Sequence, residues 1–260
     1  MANFNNTTVS VCHCCDYQNI SRLVKLLLFL LFINLNSVSA QDSLVVQYAV
    51  NARATFKQGR LKQTNIALDG SLKLEKEKWS LDLFTNYNYL KTNGRVGENE
   101  WFSRALISFF QKRKLFPVIG NMYFKSEFYQ IDSRKNPGVG LGYKLVDKNQ
   151  NYITLYGWLA YDETKFKNIP KYDTFRITGF LSGNYELLKN KVSTQFVFYY
   201  LQSLEQASNY IWRVEPTILF HLSQKFSLSL NYRNHFENII DPSNEKQNTA
   251  LTIGIKFQNI

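Results

Sequence analysis

From Val46 to Phe257 the chain alternates apolar and polar residues with a period of two, and no helical period competes. Successive side chains of a β-strand point to opposite faces, so this pattern specifies strands with one apolar and one polar face. In 46–57, Val46, Tyr48, Val50, Ala52, Ala54 and Phe56 oppose Gln47, Asn51, Arg53, Thr55 and Lys57. In 66–75, Ile66, Leu68, Gly70, Leu72 and Leu74 oppose Asp69, Ser71, Lys73 and Glu75. The alternation predicts twelve strands: 46–57, 66–75, 79–90, 101–110, 115–125, 138–146, 152–161, 174–186, 192–202, 210–221, 226–236 and 248–257.

The connections alternate as well. Short charged turns are predicted at Lys76–Lys78, Gln111–Lys114, Asp147–Asn151, Leu187–Lys191 and Leu222–Lys225. Longer loops are centred on Lys91–Glu100, Ser126–Pro137, Asp162–Asp173, Ser203–Asn209 and Glu237–Gln247; the first hairpin, near Gln58–Lys62, is short. Short turns on one rim and longer loops on the other describe an antiparallel transmembrane β-barrel of the outer membrane, an all-β fold with periplasmic turns and extracellular loops.

Alternation alone does not say which face is inside, because a soluble barrel turns its apolar side chains inward. Twelve strands enclose more space than apolar side chains alone fill easily. The polar face carries charges of both signs, at Arg53, Asp69, Lys73, Asp82, Lys144, Arg176, Glu186, Arg213 and Glu215, which suits a charge-paired lumen. On the apolar face aromatics gather towards strand ends: Tyr48 and Phe56, Trp79 and Tyr89, Trp101 and Phe109, Phe116 and Phe124, Tyr210 and Phe220. These are expected to form two girdles at the membrane interfaces. A mean hydropathy of −0.29 excludes a bundle of membrane helices.

The first forty residues read differently. Residues 26–35 (LLLFLLFINL) are apolar, follow Arg22 and Lys25, and precede Val38-Ser39-Ala40. This is the order of a secretory signal: a charged region, an apolar region too short to span a bilayer, then a small-residue cleavage site. Residues 1–40 are therefore expected to be an N-terminal extension and signal peptide cleaved after Ala40, leaving a barrel of 41–260. The three cysteines, Cys12, Cys14 and Cys15, all lie upstream of the apolar run. The barrel segment thus has no cysteine for a disulfide or a nucleophile.

Gly138-Val139-Gly140-Leu141-Gly142-Tyr143-Lys144-Leu145, with its following polar turn and second alternating strand, resembles a known pattern, as does the polar segment Phe124–Ser133 before it. With the opening strands and Leu251-Thr252-Ile253-Gly254-Ile255-Lys256-Phe257, the likeness covers most of 41–260. It is similar to the salt-induced outer-membrane protein family, domain of unknown function 481. The resemblance implies an outer-membrane barrel without a settled activity. Outer-membrane strands usually finish on an aromatic residue that the barrel assembly machinery reads. Phe257 stands in that place here, followed by Gln258-Asn259-Ile260.

Gly138, Gly140 and Gly142 share the polar face of their strand. No helix follows them, so a phosphate-binding loop is excluded. A symmetrical hairpin closed at Asp147–Asn151 would set Gly142 against Tyr156 and Gly140 against Trp158, with the rings over the glycines. His221 and His235 have lumen parity but fall near opposite rims, so they cannot share a site. No serine carries a nucleophile-elbow signature. Neither catalytic residues, nor a cofactor, nor a metal site is expected. The chain is basic, at net charge +11, but the excess is spread over turns and lumen and matches no nucleic-acid module. The expected partners are outer-membrane lipid and the assembly machinery. The expected function is a structural envelope protein or narrow pore. The alternatives are a lipid-modifying or lipid-hydrolysing barrel enzyme and a surface receptor or adhesin.

Overall fold

A computed structural model describes residues 44–57, 63–148, 151–240 and 245–259. The expected signal peptide and cysteines, the first hairpin turn, the Phe56 side chain and the centre of the Asp147–Asn151 turn lie outside the described residues. The strands are β1 (Val45–Lys57), β2 (Gln63–Glu75), β3 (Trp79–Thr92), β4 (Arg95–Phe109), β5 (Leu115–Ser126), β6 (Ile131–Lys148), β7 (Asn151–Phe166), β8 (Tyr172–Leu188), β9 (Val192–Ser203), β10 (Tyr210–His221), β11 (Phe226–Glu237) and β12 (Gln247–Gln258). Each lies on a predicted segment. Every strand pairs antiparallel with its sequence neighbours, and β1 pairs with β12 to close the barrel. Closure removes the unpaired edges that an open sheet would expose to lipid.

The strands run further than the alternation indicated on the long-loop side. Two expected loops, around Lys91–Glu100 and Ser126–Pro137, are largely strand. β3 and β4 are joined by Asn93-Gly94 alone, with φ of 51° and 84°. Positive φ at both central residues matches the right-handed twist of a hairpin, and Asn-Gly supplies it at little cost. Polar sequence hid these strand ends because they stand where both faces meet water or lumen. The β7–β8, β9–β10 and β11–β12 connections remain longer than Asn93-Gly94.

The outer wall is apolar. Leu251, Ile253 and Ile255 of β12 are 65%, 59% and 58% exposed, and Val139, Leu159 and Ile177 continue the belt. The inner wall is polar where it is most buried: Asn86, Asp162 and Glu237 are each 0% exposed. Apolar side chains outside and charges inside suit a hydrocarbon surround, and the protein is an outer-membrane barrel.

One strand corrects the predicted girdle. Phe116 and Phe124 of β5 are 3% and 5% exposed and point into the lumen, while Leu115 and Ile119 face outward. Both faces of β5 are apolar, so alternation could not choose between them. Gly142 leaves the space that the Phe116 ring fills, because a Cβ there would collide with it. The lumen accordingly holds an apolar cluster that includes Phe102, Leu106, Met122, Phe124, Trp158, Phe180 and Tyr199. Tyr129, in the β5–β6 turn, and Ile240, in the β11–β12 loop, are buried in the same cluster.

Candidate functional site in the barrel lumen

Strand parity delivers the lumen side chains. On β4 the inward set is Glu98, Glu100, Phe102 and Arg104; on β10 it is Ile211, Arg213 and Glu215; on β11 it is Arg233, His235 and Glu237. β4 and β10 stand six strands apart in either direction around the barrel, on opposite walls. Arg213 nevertheless reaches Glu100, with Nη1 donating to Oε1 at 3.4 Å, and also donates to Glu215 at 2.9 and 3.0 Å. Arg233 donates to the same Glu100 oxygen at 3.1 Å and to Glu98 Oε2 at 3.2 Å. Asn248 of β12 donates to Glu98 from a third strand. These bonds cross the lumen.

The walls are drawn together at this level. Twelve strands about 4.8 Å apart and tilted by about 40° would close a circle roughly 24 Å across. Extended Arg and Glu side chains cover only about half of that.

A second bridge joins β4 to β9. Arg104 donates to Asp82 at 2.7 Å and to the Tyr199 hydroxyl at 2.9 Å, and its guanidinium lies 4.4 Å from the Phe180 ring centroid. Phe180 in turn stacks on Tyr199 and Tyr156, at 4.6 and 5.1 Å between centroids. A third bridge joins β6 to β11 near the long-loop rim, where Arg134 donates bidentately to Glu237 at 2.6 and 2.9 Å. Tyr129 covers that end, its hydroxyl donating to the His235 carbonyl at 2.9 Å. Buried guanidinium–carboxylate pairs of this geometry fix position well, since losing one partner strands a charge. The space left between the bridges and the rings includes a cavity of about 40 Å³ lined by Phe102, Met122, Tyr199, Leu201, Ile211 and Arg213.

The residues singled out from sequence divide between lumen and rim. Arg53 pairs with Asp69 at 2.6 Å, Asp82 with Arg104, Arg213 with Glu215, and Arg176 with Asp162 at 3.2 Å. Lys73 pairs with Glu75 at 2.6 Å and Lys144 with Asp147 at 2.6 Å, both on the short-turn rim. Glu186 accepts the backbone N–H of Asn190 at 2.5 Å within a turn. Those three make their contacts at the rim rather than in the bridges. Among the glycines, Gly142 is in register with Tyr156, Gly140 with Trp158 and Gly138 with Ala160. A Cβ on Gly140 would meet Trp158 and the Gly157 carbonyl, whereas the space above Gly142 belongs to Phe116. Phe257 pairs with Val50 and Phe226, its ring 5.2 Å from that of Phe226 and 6.2 Å from that of Tyr48.

Sequence reading missed Glu98, Glu100, Arg104, Arg134, Asp162, Arg233 and Glu237 as members of the network. Glu98, Glu100 and Arg134 stood in segments taken for loops. Ser193 was also missed: its Oγ lies 2.9 Å from His221 Nε2, and His221 Nδ1 lies 2.9 Å from Ser227 Oγ. No group of three or more His, Cys, Asp or Glu side chains among the described residues is placed to hold a metal ion. Beyond the rim, Lys171 of the β7–β8 loop is held by Glu163 at 3.1 Å and Asp173 at 3.2 Å. Its hydrogen bonds to those two carboxylates raise its pKa above that of an ordinary lysine.

Comparison with solved structures finds low-identity likenesses. The NanC porin aligns at 9% identity with a TM-score of 0.49, over 81% of this chain and 98% of that one. The KdgM porin aligns at 9% and 0.43, over 83% and 100%. The translocator domain of the autotransporter NalP from Neisseria meningitidis aligns at 10% and 0.43, over 92% and 95%. No curated protein matches the chain. The family described as "Protein of unknown function, DUF481" matches residues 50–258, from the middle of β1 to the end of β12. With that match spanning nearly the whole barrel, this outer-membrane barrel belongs to the DUF481 family.

Proposed function

We propose that the protein is a structural component of the outer membrane whose lumen is held shut, and that it conducts only when the cross-lumen bridges part. The observation that carries this reading is Glu100, whose carboxylate is held by Arg213 and Arg233 from the opposite side of the barrel. An open diffusion pore keeps its charged side chains along the wall, where water separates them. Here they meet across the lumen and share it with stacked rings. Residues 1–40 serve export in this reading, and Phe257 presents the terminal strand to the assembly machinery. Enzymatic activity is no part of it. Among the described residues, His221 has two serines as its side-chain partners and no carboxylate within 4.0 Å to orient an imidazolium.

Recording from the purified protein in a planar bilayer tests the proposal. The expected record is a closed baseline with brief, small openings. A steady, wide conductance would show an open pore and overturn it.

A further inference from the structure

The cations of the lumen are not all treated alike. Arg53, Arg104, Arg134, Arg176, Arg213 and Arg233 each have a carboxylate within 3.2 Å. Lys256 of β12, only 9% exposed, has none within 4.0 Å among the described residues. Its ammonium donates to Gln195 Oε1 at 2.5 Å. An ammonium carries three donors, and a buried charge without a counter-charge is costly.

Around Lys256 the polar side chains are mostly donors, and the charge of Asp69 reaches it only from beyond 4.0 Å. In register it sits beside Ser227 on β11 and Asn51 on β1. Ser227 is joined through His221 to Ser193. Gln195 follows Ser193 by two residues, on the same face of β9. Asp69, across β1 on β2, is occupied by Arg53, Asn51 and Asn86. Four adjacent strands, β9 to β12, thus place a buried ammonium, two hydroxyls and an imidazole together. All but Gln195 and Lys256 lie within one residue of the short-turn ends of their strands. That end opens on the periplasmic side.

We infer that Lys256, Ser193, His221 and Ser227 form a site for a small free oxyanion, of phosphate size and charge, entering from the periplasmic mouth. The anion supplies a counter-charge in contact with Lys256; the ammonium donates to its oxygens, as does the hydroxyl of the serine that receives the N–H of His221, whose two ring nitrogens hold Ser193 and Ser227 in place. The site is separate from the bridges at Glu100, so it stands or falls independently of the closed-lumen reading.

The test uses the barrel purified in dodecyl maltoside, a detergent without phosphate. Unfolding by urea is followed with inorganic phosphate or with chloride at matched ionic strength. Phosphate is expected to raise the midpoint of the native protein above its value in chloride. The rise should vanish in Lys256→Met and persist in Lys144→Met, whose lysine is already paired with Asp147. Lys256→Met should also match or exceed the native protein in chloride, since it removes an unpaired buried charge. An equal response in all three proteins, or none in the native one, overturns the site. A response to dihexanoyl phosphatidylglycerol without one to free phosphate overturns it too. Should Lys256→Met not fold, phosphorus-31 line broadening by the native protein decides: broadening relieved by about tenfold excess acetate supports the site, and its absence refutes it.

Discussion

Glu100 of β4 and Arg213 of β10 come from opposite walls of the barrel and meet at 3.4 Å. In a closed ring of twelve strands no two strands stand further apart. Removing one partner leaves the others buried and charged. Glu100→Ala leaves Arg233 with Glu98 alone and Arg213 with Glu215 alone, and is expected to destabilise the barrel by about 1.5–3 kcal/mol. The same variant should open more often and for longer in a planar bilayer than the native protein. An unchanged record would show that another element closes the lumen.

The face assignment can be tested on adjacent residues of β12. Ile253 is 59% exposed to the hydrocarbon, so Ile253→Arg should cost about 2–4 kcal/mol in folding into lipid vesicles. Thr252 points inward, and its buried hydroxyl has no hydrogen-bond partner among the described residues. Thr252→Val should therefore be neutral or slightly stabilising. Urea titration of the heat-modifiable folded form measures both.

Two glycines in adjacent strands should respond in opposite ways. A Cβ on Gly140 runs into Trp158 and the Gly157 carbonyl, so Gly140→Ala must push β6 from β7, at about 1–3 kcal/mol. A Cβ on Gly157 meets nothing within 4 Å, so Gly157→Ala should stay within about 0.5 kcal/mol of the native protein. Equal losses would argue against the β6–β7 register.

Topology makes a separate prediction in whole cells. The described barrel contains no cysteine, so single cysteines report cleanly. Asn93→Cys, in the β3–β4 turn, and Lys165→Cys, near the end of β7, should react with an impermeant thiol reagent. Lys112→Cys and Lys189→Cys, in turns on the opposite rim, should not. The reverse pattern would invert the orientation.

Much of the fold was legible because a barrel wall leaves a period-two trace in each strand. Strand number, antiparallel order and the rim of short turns follow from that trace and the turn composition. The trace fails where both faces are alike. β5 offers Phe116 and Phe124 on one face and Leu115 and Ile119 on the other, and the choice rests on Gly142 in the next strand. It fails again where both faces are polar, so Glu98, Glu100 and Arg134 passed for loop residues. Pairing across the lumen left no local signal. Glu100 and Arg213 are 113 residues apart, and no spacing rule links strands that share only an interior.

That separation has a consequence for how the barrel is built. Glu98 and Glu100 belong to the fourth strand, yet their partners Arg213, Arg233 and Asn248 arrive 113 to 150 residues later. Until then two carboxylates wait in a forming sheet without the cations that neutralise them. Contacts at such separations are rewarded only after the intervening chain has been ordered. A barrel without β10 and β11 would keep Glu98 and Glu100 without the arginines that pair with them. The last strands both close the cylinder and discharge its interior.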